Sequence, residues 1–288
     1  MTWWKPTTWF RGHSSAVRTV RAKFDSAQTT PDNRRHWANA DGLSADTAAS
    51  PEVRRTLRNR ARYEVANNSY ARGIVLTLAN DVIGAGPRLQ MLLDSDEYAS
   101  ASHINGLIED EFVAWCKAVD LPGKLRTMRM ARAQDGEAFA VLFTNPEIQH
   151  PVKFDMKLIE ADQVTTPTPT ALHRNASGLD ENVVDGIEFD AFGNPVAYHV
   201  LTSHPGSAGG TAHTFERVPA ASMIHWFRTD RPGQSRGLPD ILPALPLFAQ
   251  LRKYPLAMMS VADERRRRHH VHGIPTPRQQ CRMEAENE

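Results

Sequence analysis

The sequence has little cysteine, no long apolar run and no excess of charge, and each shortage removes a class of protein. Only Cys116 and Cys281 occur in 288 residues. They lie far apart, which gives neither a disulfide framework nor a zinc-ligand spacing and fits a reducing cytoplasm. The sequons at Asn67 and Asn175 carry no weight in that setting. No apolar stretch approaches the roughly 20 residues of a membrane span. Trp3 and Trp4 are not followed by the apolar segment of a signal peptide. The formal net charge is +1, with both signs spread along the chain. That excludes a strongly basic nucleic-acid binder and leaves no long-range field to steer the protein to DNA. The phosphate-binding string G-x-x-x-x-G-K-[ST] is absent, so the chain is not an ATP-driven motor. H-E-x-x-H is absent too, and Gly84-Ala-Gly86-Pro87 lacks the third glycine of a dinucleotide fingerprint. The expectation is a soluble intracellular protein with no cofactor, no metal, no membrane partner and no catalytic residue.

What is present is enough apolar side chain, 41% of residues, for one large or two modest domains. Residues 1–48 form a polar arm, expected to be partly disordered, with Arg11, Arg18, Arg21, Lys23, Arg34 and Arg35 among Ser, Thr and Asp. Residues 49–135 read as helical. Ser50-Pro51-Glu52 caps an arginine-rich helix (Arg54, Arg55, Arg58, Arg60, Arg62), which Asn67-Asn-Ser69 interrupts. Tyr70, Ile74, Val75, Leu78 and Val82 continue at helical spacing until Gly84-Ala-Gly86-Pro87. Leu89, Met91 and Leu93 alternate like a short strand. A third helix is expected from about Asp96 to Lys117, and a basic one follows the break at Leu121-Pro-Gly123. Residues 136–230 are β-rich: strands at 138–143 and 154–158, a long loop over 162–182, a hairpin around Gly193-Asn194, a second loop at 203–211, and strands near 215–218 and 223–227. Residues 231–260 carry a turn and a helix that Pro246 starts and Pro255 ends or kinks. Residues 261–288 read as a basic tail, expected to be disordered. Helices first and strands second give an α+β fold.

Two segments invite chemical readings. Gly233-Gln-Ser-Arg-Gly237 fits G-x-S-x-G, the elbow that exposes a nucleophilic serine between strand and helix. A serine hydrolase using Ser235 is the alternative function. Against it, Arg228–Pro232 separate the serine from the strand, and no histidine-glycine oxyanion loop precedes it. The acid and histidine that should follow have only Asp240, Asp263, Glu264 and a polar tail to come from. His269, His270 and His272 could bind a metal, but Arg265–Arg268 beside them repel cations. That arginine run could touch phosphates without choosing a sequence. Met128, Met130, Met258 and Met259 read as core filler.

Several segments, taken together and in order, resemble the lambda-type phage portal proteins. They are Ala66-Asn-Asn-Ser-Tyr-Ala-Arg-Gly73, Asn80-Asp-Val-Ile-Gly84 with Gly86-Pro-Arg-Leu-Gln90, and Glu111-Phe-Val-Ala-Trp115. Then follow Arg132-Ala-Gln-Asp-Gly-Glu-Ala-Phe139, Leu158-Ile-Glu-Ala-Asp-Gln163, Gly186-Ile-Glu-Phe-Asp190 and Gly193-Asn-Pro-Val-Ala-Tyr-His199. Ile224-His225, Arg231-Pro-Gly-Gln-Ser-Arg-Gly-Leu-Pro239 and Leu251-Arg-Lys-Tyr254 complete the series, over about residues 50–258.

The resemblance implies a wing of helices and strands, a stem and a clip, assembled as a ring of twelve at one capsid vertex. It implies partnership with the terminase motor, with capsid and head–tail connector proteins, and with double-stranded DNA held by its backbone without sequence choice. The location implied is the virion, and the host cytoplasm during assembly. A near-neutral chain suits a channel through which DNA slides. Family members continue as an Ala-rich helix near residue 263, where this chain has Arg265–Arg268 and three histidines. A reading-frame slip or a degraded prophage gene is the expectation there.

Overall fold

The computed structural model describes residues 30–93, 101–166, 183–207 and 214–271. Residues 1–43 form one unit. Its described part, from residue 30, consists of turns, with the Trp37 amide donating to the Asn33 carbonyl. Most of the arm, the middle of the long loop, residues 208–213 and His272 onward lie outside the described residues.

The second unit, residues 44–288, is α+β. It opens with helices α1 (Ala45–Ala48), α2 (Pro51–Asn67), α3 (Ser69–Ile83), α4 (Ala101–Ala118) and α5 (Leu121–Asp135). Each boundary has a local cause. The Ser50 hydroxyl caps α2, and Pro51 fills its first turn, where no amide hydrogen is needed. Asn68 is extended, so it ends α2, and its side chain accepts the Tyr70 amide to start α3. Pro122 sits in the first turn of α5, so Leu121-Pro-Gly123 begins that helix instead of preceding it.

Strands follow: β1 (Glu137–Thr144), β2 (Phe154–Ile159), β3 (Val183–Val184), β4 (Ile187–Phe189), β5 (Pro195–Leu201), β6 (Phe215–Pro219) and β7 (Met223–Phe227). They make two antiparallel sheets, β2-β1-β7 and β3-β4-β5-β6. The chain leaving β2 forms a short 3-10 turn, Ala161–Gln163. Val164 then bridges to Val200 of β5 and so ties the sheets together. The final helix, α6, is Leu245–Val271.

The alternation of β1 decides where the cores lie. Phe139 and Val141 face the second sheet, packing with Ile159, Ile187, Tyr198 and Val218. Ala138 and Ala140 face the opposite way, toward Cys116, Leu121 and Met128 of the α4–α5 region. A third core is mainly helical: Ala61, Val65, Ala71, Val75 and Ala133 meet Leu245 and Phe248 of α6, with Ile241 from the turn before it.

Three sequence expectations need correction. Residues 85–93 form no strand. The Met91 and Leu93 amides instead donate to the side chains of Glu109 and Asn105 on α4, which satisfies the backbone without a β partner. α6 runs through Pro255 without ending there. It also continues past 260 to Val271, because Ala262, Glu264 and the arginines are good helix formers. The third helix is described from Ala101 on; its expected start near Asp96 falls outside the described residues.

Backbone crossings fix two glycines. Gly136 ends α5 with φ +94°, and a Cβ there would sit 2.5 Å from the Leu238 backbone. A Cβ on Gly237 would sit 2.1 Å from the Gly136 carbonyl oxygen. Gly136→Ala and Gly237→Ala are each expected to cost about 2–4 kcal/mol through clash and, at 136, left-handed strain. Gly73, inside α3 with open space around it, gives the opposite sign: Gly73→Ala should stabilise by about 0.5–1 kcal/mol. Urea midpoints at constant m-value read all three.

Candidate functional site

The crossing of Gly136 and Gly237 brings their neighbours, Glu137 and Arg236, together at the centre of the second unit. Glu137 is 0% and Arg236 1% exposed. Arg236 Nε donates to Glu137 Oε2 at 2.8 Å and Nη2 donates to Oε1 at 2.7 Å, a two-pronged pair. Its remaining hydrogens go to the carbonyls of Ala161, Val164 and Asp185 and to the Asp185 carboxylate. The Gly237 amide also donates to Glu137 Oε2. Strand β1, the turn after β2, the β3–β4 turn and the 233–237 loop therefore share one guanidinium.

The β3–β4 turn is built for this contact. Asp185 and Gly186 both have positive φ, 43° and 83°. They join adjacent strands as the two-residue Asp-Gly turn that suits hairpin twist. That conformation points both the carbonyl and the carboxylate of Asp185 at Arg236 Nη1.

Helix α2 adds a ladder. Arg54, Arg58 and Arg62, spaced by four, project from one face. Arg54 donates to Asp185 and to the Ala49 carbonyl. Arg58 reaches Asp162 at 2.8 Å and Glu137 at 3.4 Å. Arg62 grips Asp135 with two bonds, 2.7 and 3.0 Å, and Asp162 at 2.8 Å. Arg55 and Arg60, off that face, are exposed.

His225 completes the node from β7. It stacks on Phe139 and Phe227, with ring centres 4.2 and 4.3 Å apart, and its Nε2 lies 3.2 Å from Glu137 Oε2. Burial would push the Glu137 carboxyl up. The Arg236 charge and the His225 bond outweigh it and hold that carboxyl far below the usual range. Burial pushes the His225 imidazole down, against the pull of Glu137. Burial of Asp162 is likewise outweighed, by Arg58 and Arg62, and its carboxyl is lowered. Burial, and then Arg236 nearby, lower Arg54 to about 10.

The 231–237 turn is held by its own side chains. Gln234 Oε1 accepts the amides of Asp230 and Arg231, while Nε2 donates to the carbonyls of Arg228 and Arg236. Ser235 is tied to α1: its amide donates to Asp46 Oδ1 at 2.8 Å and its Oγ to Asp46 Oδ2 at 2.7 Å. A nucleophilic serine needs a base to take its proton, and His225 is engaged with Glu137. The hydroxyl serves as a tether, and nothing supports the hydrolase reading.

One group of possible metal ligands occurs among the described residues, Glu160, Asp162 and His204, with ligand atoms within 4.8 Å of one another. Both Asp162 oxygens already accept from Arg58 and Arg62, so a cation there would meet two guanidinium groups. His269 and His270 lie on the helical backbone of α6, and His272 lies outside the described residues.

In the sequence, Gly136-Glu137 belongs to the family resemblance and Arg236-Gly237 to both that resemblance and the G-x-S-x-G string, and neither pattern predicts their pairing. Each is a charged residue beside a glycine, which was the available signal. The four-residue spacing of Arg54, Arg58 and Arg62 was another, as was Asp185-Gly186 between two apolar pairs.

Such an arrangement defines a structural module, in which the central charged groups bind other parts of the same fold. Comparison with known proteins agrees. Residues 31–262 match the family described as phage portal protein, lambda family, and the chain belongs to that family. It is similar to the probable portal protein of Halomonas phage phiHAP-1, 29% identical over 231 residues. That alignment covers 76% of this chain and 43% of the relative, so the matched part spans less than half of the relative's length.

Arg236→Met is expected to cost about 3–5 kcal/mol, because it leaves Glu137 buried with weaker partners. Combined with Glu137→Gln it should cost less than the sum of the single changes, read by urea denaturation. Acid should act in two stages. The unfolded chain protonates histidine near its ordinary value of about 6.5, while folded His225 resists. Stability therefore declines below that pH, down through the lowered His225 value. A second decline follows below the ordinary carboxylate range, as Glu137 and Asp162 are forced to protonate. His225→Gln should flatten the first stage and spare the second in a series of Tm measurements against pH.

Proposed function

We propose that this chain is a structural portal protein, a wall segment of the ring at one capsid vertex through which phage DNA is packaged and ejected. The observation that carries the reading is the family match over residues 31–262. The motifs that suggested the family, Gly136-Glu137, His225 and Arg236-Gly237, also meet at one buried node. A subunit that works by holding its shape needs such a junction between helices and sheets, and needs no reactive group.

On this reading the chain's partners are further copies of itself, twelve in the finished ring. The terminase packaging motor docks on that ring, and capsid and head–tail connector proteins surround it. Double-stranded DNA passes through by backbone contact alone. The net charge of +1 supports sliding, since each phosphate neutralised by a fixed lysine or arginine adds salt-dependent binding. The location is the virion vertex, with the host cytoplasm as the place of assembly. No helix among the described residues is long and apolar enough to cross a membrane.

Two measurements test the reading together. Electron microscopy of the purified chain should show rings with a central opening. A fluorophosphonate probe should leave Ser235 unlabelled, because its hydroxyl is held by a carboxylate and no imidazole among the described residues bonds it. Stoichiometric labelling with turnover of an ester would overturn the structural assignment.

A further inference from the structure

Helix α6 leaves the body of the protein after its first turns. Leu245 and Phe248 are buried in the helical core, and Arg252 Nη2 lies 3.0 Å from Glu64 Oε1 of α2. From Lys253 to Arg267 every described side chain is exposed. At 1.5 Å per residue the helix carries its backbone about 20 Å beyond Arg252 before it reaches Arg265. Four arginines in a row follow, Arg265–Arg268. Against Asp263 and Glu264 they leave the six residues a charge of +2, more than the +1 of the whole chain. The run begins beyond residue 262, where the family match ends, so the family does not account for it.

Successive positions on an α-helix turn by about 100°, so four arginines in a row encircle the axis. A lipid surface takes a helix with cations on one side and apolar groups on the other, and this turn has no apolar side. Positive charge all round matches a site with anions on both flanks. The major groove of B-form DNA is such a site. It is about 12 Å wide, admits an α-helix and runs between two lines of phosphates. Zipper-type DNA-binding proteins enter it with basic segments that are continuous helices. The major groove of A-form RNA is too narrow for the same fit.

We propose that the exposed end of α6 lies in the major groove of double-stranded DNA, with Arg265–Arg268 donating to phosphates on both edges. Phosphate contacts fix position and carry no sequence information, so the site takes any duplex. Such contacts also let a protein slide along DNA, as the portal reading requires. The inference deepens that reading by naming an element that meets DNA, yet a single copy of the chain is enough for it.

The test is fluorescence anisotropy of a labelled, mixed-sequence DNA duplex titrated with the full chain over a range of salt. Arg265→Gln, Arg266→Gln, Arg267→Gln and Arg268→Gln together should weaken binding on the order of a hundredfold at low salt. They should also flatten the slope of log K against log salt by about 0.9 for each arginine that meets a phosphate. Glutamine favours helix about as well as arginine, so circular dichroism and Tm should not change. Lysine at the same four positions, which keeps the charge, should bind within about tenfold of the unaltered chain. Arg55→Gln with Arg60→Gln, exposed on α2, should leave binding unchanged. Full binding by the four-glutamine variant, or loss in the α2 variant, would overturn the site. A single strand of the same length or an RNA duplex bound as tightly would overturn the groove. Tighter binding to vesicles of phosphatidylserine in phosphatidylcholine would make the partner a membrane and overturn the proposal. Rings in the microscope without duplex binding would overturn it while leaving the portal reading intact. Duplex binding by a chain that forms no ring would support it and count against that reading.

Discussion

The fold depends on a carboxylate and a guanidinium with no access to water. Glu137 and Arg236 are held by two bonds to each other and by carbonyls, an amide, an imidazole and further arginines around them. Removing two such charges from water costs several kcal/mol per ion, and the mutual attraction returns it only when the remaining hydrogen-bonding capacity is filled. Here the filling groups come from α2, β1, β7, the turn after β2 and the β3–β4 hairpin. The pair therefore contributes little net stability by itself. What it does is penalise every arrangement in which one of those elements is displaced.

The glycines explain how the pair can exist. The backbones of 136 and 237 nearly touch beside the pair, and a methyl group at either position would push them apart. The carboxylates around the node are matched by arginines: Asp185 by Arg54 and Arg236, Asp162 by Arg58 and Arg62, Asp135 by Arg62. Even the serine of the G-x-S-x-G string joins this pattern, bonding the Asp46 carboxylate of α1.

Much of the architecture was legible from residue order. Helical spacing in 51–83, the period of two in 137–144 and the Gly193-Asn194 turn each report a local preference, and local preferences survive folding. The α+β class followed from them, while the family followed from the resemblance of ordered segments such as Arg132–Phe139 and Arg231–Pro239. The node was not legible in the same way, because its members are polar residues whose burial depends on partners about a hundred positions away. Arg54 and Arg58 look like ordinary surface residues until Asp185 and Asp162 are brought beneath them. The supposed strand at Leu89–Leu93 failed for the opposite reason: the alternation was real, but the backbone found side-chain acceptors on α4. Of the two expectations at Pro255, an end or a kink, the end does not occur, because a missing amide hydrogen weakens a helix without stopping it where neighbouring residues favour one.

The separation of Glu137 and Arg236 along the chain, 99 positions, carries a kinetic meaning. Closing so long a loop is entropically unfavourable before any contact compensates, and distant pairings of this sort slow folding. The helices can form early from local signals, whereas the clasp between them and the sheets must wait for the 233–237 loop to emerge. A nascent chain thus reaches its rigid form only after Arg236 has been made, with loosely associated helices and hairpins before that point.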